Sequence, residues 1–177
     1  MAQVFIGLGS NINPARNVAR ALRQLALHGR ILGVSTVYRT PPEGRPEQPW
    51  YFNCVVALET TKTPLELKQD ALRRIERELG RVRSADRYAA RTIDLDLLLY
   101  DDLVVERDDL TLPDPHVFQR AYLAHGVYEL APELALPGSG RPIASVAAAL
   151  PIDRMEPLAG FTARLRRRHG VARRPAR

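Results

Sequence analysis

One cysteine stands in 177 residues, Cys54, so the chain can form no internal disulfide and no cysteine-rich metal site. Its setting, Cys54-Val55-Val56-Ala57-Leu58, is apolar and reads as a buried thiol in a reducing compartment rather than a nucleophile. Four histidines add little material for a zinc centre or a Cys-His pair. No apolar run approaches the ~20 residues that span a bilayer. Met1-Ala2-Gln3-Val4-Phe5-Ile6-Gly7 lacks the basic flank and long apolar core of a secretory signal, and a soluble cytoplasmic protein is expected. A Gly-x-x-x-x-Gly-Lys-Ser/Thr sequence is also missing, which excludes a P-loop. Gly7-Leu8-Gly9-Ser10-Asn11 has only two glycines and reads as a tight strand-to-helix turn.

From Gly160 onward there is no Asp or Glu, while Arg164, Arg166, Arg167, Arg168, Arg173, Arg174 and Arg177 follow one another. Removing those seven from 26 Lys and Arg leaves 19 against 20 acidic residues, a body near −1 inside a chain of net charge +6. The basicity therefore belongs to the end of the chain, which argues against nucleic acid as a partner for the rest. Residues 1–160 read as a single domain, and 161–177 as a basic, flexible tail.

Hydrophobic patterning orders the elements. Val4 to Leu8 is a buried strand, and Pro14 begins a helix carrying Val18, Leu22 and Leu25 at helical spacing. Ile31 to Tyr38 is a second strand and Tyr51 to Thr60 a third. Between them, Pro41, Pro42, Gly44, Pro46 and Pro49 forbid regular structure and mark a rigid loop. Thr63-Pro64-Leu65-Glu66 caps a helix that runs to about Leu79, and Ile93 to Tyr100 is the fourth strand. Strand, helix, strand, strand, helix, strand is the order of a ferredoxin-like α+β sandwich, an antiparallel sheet with helices on one face. An extra hairpin and C-terminal helices are expected beyond it.

Asp94 and Asp96 alternate with Ile93, Leu95 and Leu97, so both carboxylates point to one face about 7 Å apart. Such a pair is a seat for hard divalent cations shared with phosphate oxygens. Arg81, Arg83, Arg87 and Arg91 precede it, and guanidinium groups beside metal-binding carboxylates suit phosphoryl transfer. Salt bridges among these groups are the plainer explanation. In Tyr51-x-Asn53, an aromatic face beside an amide suits a flat hydrogen-bonding heterocycle, although Tyr51 and Tyr122 also suit a core. Two further readings share these features: a two-metal nucleotidyl transferase or nuclease, and a nucleic-acid-binding module.

Gly9-Ser10-Asn11, Tyr38-Arg39-Thr40-Pro41-Pro42, Gln48-Pro49-Trp50-Tyr51-Phe52-Asn53, Gly80-Arg81-Val82-Arg83 and Arg91-Thr92-Ile93-Asp94-Leu95-Asp96-Leu97-Leu98 together resemble the 6-hydroxymethyl-7,8-dihydropterin pyrophosphokinases of folate biosynthesis, from about Val4 to Pro132. The resemblance implies a monomeric enzyme that transfers the β,γ-diphosphate of ATP to the pterin hydroxymethyl group, with two Mg2+ ions on Asp94 and Asp96. Arg81 and Arg91 match the family's catalytic arginines. Thr40, Pro41, Glu43, Tyr51, Asn53 and Tyr122 match its pterin contacts. Arg73, Glu76, Arg81, Arg83, Tyr88, Arg91, Leu97, Thr111, His116 and Arg120 match its nucleotide contacts. Four departures stand out. Tyr88 replaces a common tryptophan, Ala90 a proline and Arg73 a frequent glutamine. Pro113-Asp114-Pro115-His116 replaces a proline-histidine pair, leaving the family's phosphate-contacting histidine missing or supplied by His116.

Overall fold

Val4, Ile6 and Leu8 alternate with Phe5, Gly7 and Gly9, and that alternation assigns a core to each side of the central strand. In the computed structural model, which describes residues 1–82, 85–86 and 88–171, this strand is β1 (Ala2–Ser10). It pairs antiparallel with β4 (Tyr51–Thr60) on one side and β5 (Asp94–Tyr100) on the other. β2 (Arg30–Val34) and β3 (Tyr38–Thr40) both pair with the outer edge of β4. Fourth, first, third and second strands thus lie side by side, the ferredoxin-like order.

The second strand was expected as one run, and it is two because Ser35 intrudes. Its hydroxyl accepts the Val55 N–H at 2.8 Å while its own N–H reaches the Val55 carbonyl at 2.9 Å, so a side chain takes one place in the ladder.

Val4, Ile6, Leu8, Val56, Leu58, Leu95 and Leu97 meet helix α1 (Pro14–Leu25) and the helix that follows β4. That second helix opens on reciprocal bonds between Thr63 and Glu66, winds as a π-helix over Glu66–Leu72, and continues as α2 (Arg73–Glu78). The opposite face is apolar as well. Phe5, Val55, Ala57, Leu98 and Leu99 are buried there under α3 (Ala121–Leu130) and α4 (Ile143–Ala148). The sheet is therefore covered on both faces rather than one, as near-continuous apolar strands require. β6 (Val105–Arg107) and β7 (Leu110–Leu112) form the extra hairpin.

The expected flexible tail is corrected over its first part. Residues 159–168 form α5 (Ala159–Arg168), introduced by β8 (Glu156–Pro157), which pairs with β3. Thr162 and Leu165 are buried, and the Phe161 ring meets Phe52 at 5.7 Å. Residues 172–177 lie outside the described residues, as does Arg83. Burial pushes the Cys54 thiol up to about 12, so it is an inert part of the core. Among the described residues no helix is long and apolar enough to cross a membrane.

α3 sits close to the sheet because Gly126 faces it. A Cβ there would lie 2.5 Å from Cγ2 of Val55, a stiff and fully buried side chain. Overpacking costs roughly 1–3 kcal/mol, which at its upper end exceeds the ~1 kcal/mol gained when alanine replaces a helical glycine. Gly126→Ala is expected to lower the thermal midpoint by roughly 2–8 °C, and adding Val55→Ala should restore part of it. A midpoint that rises in the single variant would contradict this packing.

Candidate active site

Where α3 stops, the face of the sheet is left open. Gly7 and Gly9 form its floor, with Asp96 and Asp94 beside them on β5, and Val55 and Asn53 on β4. The resulting cleft encloses about 380 Å³. A Cβ on Gly9 would stand 2.8 Å from Asn53 Oδ1, so glycine at this position lets the amide lie across the floor.

One wall is aromatic and amide-bearing. Thr40, Pro41, Glu43, Tyr51, Asn53 and Tyr122 all line the cleft. The buried Asn53 donates from Nδ2 to Thr40 Oγ1 at 2.7 Å, which fixes the amide. Arg120 Nη1 donates to the Tyr122 hydroxyl at 3.0 Å and Nη2 pairs with Glu43 at 3.4 Å. Burial raises both phenols above their usual range, against the pull of nearby arginines, so Tyr51 and Tyr122 stay neutral.

The other wall is charged. Asp94 gives one carboxylate oxygen to Arg81 and the other to Arg91. Burial pushes its carboxyl up, but Arg81 and then Arg91 outweigh this and hold it below the ordinary range. Arg81 also donates to Glu76 Oε1 at 2.9 Å and to the Ile93 carbonyl at 3.0 Å, while Glu76 Oε1 accepts the Leu95 N–H at 2.9 Å. Asp96 differs. It opens into the cleft and has no hydrogen-bond or ion-pair partner among the described residues. Desolvation, then Asp94, Asp114 and Glu76, push its carboxyl up to about 7.

A carboxylate with no partner among the described residues and pressed by three others calls for a cation, so the donor set fits a hard divalent metal. Among the described residues no group of three or more His, Cys, Asp or Glu could hold one. Asp94 and Asp96 would therefore have to share such an ion with ligand oxygens.

Arg91 is positioned from a distant segment. Its N–H donates to Asn11 Oδ1 at 2.7 Å, and its carbonyl accepts the Asn11 and Ile12 N–H groups, both at 3.1 Å. Asn11 Nδ2 reaches Gln48 Oε1 at 3.2 Å, and Gln48 Nε2 donates to the Tyr88 carbonyl at 2.9 Å. With Arg45 paired to Asp86 at 2.5 Å, the proline-rich and arginine-rich loops meet at the mouth. The turn expected over Gly7 to Asn11 comes later, because β1 runs on through Ser10 and the chain bends only at Ile12 and Asn13; nothing in the sequence ties Asn11 to Arg91 or to Gln48. Asp114 and Leu123 were not expected either.

The remaining candidates separate. Arg81, Tyr88, Arg91, His116 and Arg120 share the cleft with the two aspartates. Arg73 and Glu76 instead line a more open cavity of about 360 Å³ with Arg77 and Arg81, so Arg81 joins the two spaces. Leu97 turns its side chain into the helix-side core, leaving only its backbone for a ligand, and Thr111 is exposed on β7. The arrangement suits a flat neutral ring on one side and a polyanion with cations on the other.

A family model described as 7,8-dihydro-6-hydroxymethylpterin-pyrophosphokinase (HPPK) matches residues 5–132. The 2-amino-4-hydroxy-6-hydroxymethyldihydropteridine pyrophosphokinase of Pseudomonas aeruginosa is 38% identical over 161 residues, covering 89% of this chain and 98% of that protein. The protein of the same name from Methylorubrum extorquens is 40% identical over 141 residues, 78% and 88% of the two chains. Among solved structures, a triple mutant of Plasmodium falciparum HPPK-DHPS superposes with a TM-score of 0.67 at 12% identity, a likeness of fold. The match covers 98% of this chain and 45% of that longer one.

Proposed function

Because the chain belongs to the 7,8-dihydro-6-hydroxymethylpterin-pyrophosphokinase family, we propose that the cleft at the open end of the sheet is its reaction site and that its two walls divide the two substrates. The enzyme transfers pyrophosphate from ATP to 6-hydroxymethyl-7,8-dihydropterin in folate biosynthesis. The pterin lies between Tyr51 and Tyr122, with Asn53 and the segment from Thr40 to Glu43 at its hydrogen-bonding edge. Arg81, Arg91, Arg120 and His116 hold the triphosphate, and Arg73 and Glu76 stand at the nucleotide's outer side. Asp94 and Asp96 would hold two magnesium ions. When bound, these supply Lewis-acid neutralisation of charge between the triphosphate and the accepting hydroxyl.

The chain's own part is to position and to neutralise. A bond forms from the hydroxymethyl oxygen to the β-phosphorus as the β-phosphorus bond to the α,β-bridging oxygen breaks; AMP leaves with that electron pair, and the hydroxyl proton is released. The stacked ring aims the hydroxyl, and the arginines hold the β- and γ-phosphates in line. We read the working unit as a monomer acting in the cytoplasm. The observation that carries this reading is Asp96, a carboxylate without a partner among the described residues, facing a cleft rimmed by arginines.

Arg81 and Arg91 already occupy both oxygens of Asp94. Magnesium without nucleotide should therefore bind weakly, and binding should tighten at least about tenfold with a non-hydrolysable ATP analogue, since the triphosphate offers the guanidinium groups another partner. Arg81→Ala should strengthen divalent-ion binding to the nucleotide-free protein while weakening the analogue. Titration with manganese, followed by electron paramagnetic resonance, reads both. Equal metal affinity with and without the analogue, or an unchanged nucleotide-free affinity in Arg81→Ala, would remove these aspartates from the metal site.

A further inference from the structure

The turn after β7 places a further carboxylate beside the cleft. Asp114 donates its N–H to the Leu98 carbonyl at 2.8 Å, which pins it to the edge of β5 two residues beyond Asp96. It heads a single 3-10 turn, Pro115–Phe118, and its Oδ1 accepts the His116 N–H at 2.8 Å as an N-cap. The same oxygen stands 2.8 Å from His116 Nδ1. A carboxylate offers no proton, so Nδ1 carries it, and Nε2 is the ring atom left to face the cleft that His116 lines. The Asp114 side chain is 20% exposed against 49% for His116, so the inner residue holds the outer one.

We infer that Asp114 is a positioning residue for the transfer: it locks the His116 imidazole so that Nε2 is presented to the triphosphate. This rests on the proposed course of the triphosphate along Arg81 and Arg91. An imidazole that also carries a proton on Nε2 donates to a phosphate oxygen, and a ring held at Nδ1 loses no rotamer freedom in doing so.

Asp114→Ser keeps an N-capping oxygen but is too short to hold the ring, whereas Asp114→Asn keeps both the cap and an acceptor for Nδ1–H. Asp114→Ser and His116→Gln are each expected to lower kcat/KM for ATP about tenfold, with KM for the pterin unchanged. The double variant should be no worse than either single one, and Asp114→Asn should stay within about threefold of the parent. Additive losses, or Asp114→Asn as impaired as Asp114→Ser, would overturn the inference, because both would mean that Asp114 acts through its charge on Asp96. His116→Gln with unchanged ATP kinetics would instead defeat the placing of the triphosphate itself.

Discussion

Asp96→Asn is expected to lower AMP release from ATP and 6-hydroxymethyl-7,8-dihydropterin by about a thousandfold or more, and also to make the metal-free protein harder to unfold above pH 7. Both effects follow from one carboxylate. Desolvation, followed by Asp94, Asp114 and Glu76, pushes the Asp96 carboxyl up to about 7 from an unfolded value of 3.8. Between those values the folded state binds the extra proton, so the stability linked to Asp96 is present in full below about pH 4. It falls as pH rises and is lost above pH 7. Unscreened, the span would correspond to about 4 kcal/mol. Asp96 opens into the cleft, and screening there reduces this to about 1 kcal/mol, or roughly 2–4 °C in the thermal midpoint at pH 8. At pH 4 the variant and its parent should melt together.

Magnesium and nucleotide should reverse the order, since only the parent has the ligand to gain from them. Asp94→Asn should behave in the opposite sense without metal. Its carboxyl is held low by Arg81 and Arg91, so its contribution is present above the unfolded value and lost as pH falls through the folded one. Melting curves in EDTA from pH 4 to 8, beside an AMP assay with and without pterin, measure all of this. An active Asp96→Asn, or one that melts below the parent at pH 8, would refute the assignment.

The two aspartates could be found in the sequence because a strand has a period of two and their neighbours are leucines. The proline-rich loop announced itself by composition, and Tyr51-x-Asn53 by chemistry. Asn11 gave no such sign. Its bonds reach Gln48, Pro49 and Arg91 across stretches that carry no periodicity, and only the folded sheet brings them together. The course of the second strand was hidden likewise, because the Ser35 hydroxyl bonds to the backbone of a different strand.

α5 is a different case, because its signal was present and was outweighed. Leu158, Phe161, Thr162 and Leu165 follow helical spacing, but Arg164, Arg166, Arg167 and Arg168 surround them, and charge suggested a solvated tail. One of those arginines points inward. Arg166 donates from Nε to the Val34 carbonyl at 2.8 Å and from Nη2 to Glu129 at 2.6 Å, and Glu129 also accepts the Thr36 N–H at 2.7 Å. The Thr162 hydroxyl accepts the Val37 N–H at 3.0 Å. The helix thus satisfies the stretch of backbone that Ser35 diverts from the ladder.

Deleting the chain after Leu158 is therefore expected to cause a large loss of stability rather than remove an appendage. Leu165→Ala alone should cost about 3 kcal/mol. Arg166→Ala should cost about 2–3 kcal/mol, less than a fully buried pair because Glu129 keeps some water. Arg167→Ala and Arg168→Ala, on the exposed side, should stay within about 0.5 kcal/mol of the parent. Urea denaturation of the set distinguishes a docked helix from a tail. A truncated chain with the full-length midpoint would contradict the docking, and equal losses at Arg166 and Arg167 would point to bulk charge.

Gly7 and Gly9 occupy a face of the sheet that is thickly covered everywhere else. Further along it, Phe5, Val55 and Leu99 fill the layer beneath α3. Leu123 still reaches over Gly7, but over Gly9 the layer stops, so the cleft amounts to a stretch of interior left unfinished. A bound ring would complete it, standing in for side chains that the chain itself does not supply. The substrate is in that sense a late-arriving piece of the core, and its arrival should register as added resistance to heat even when no phosphate is transferred.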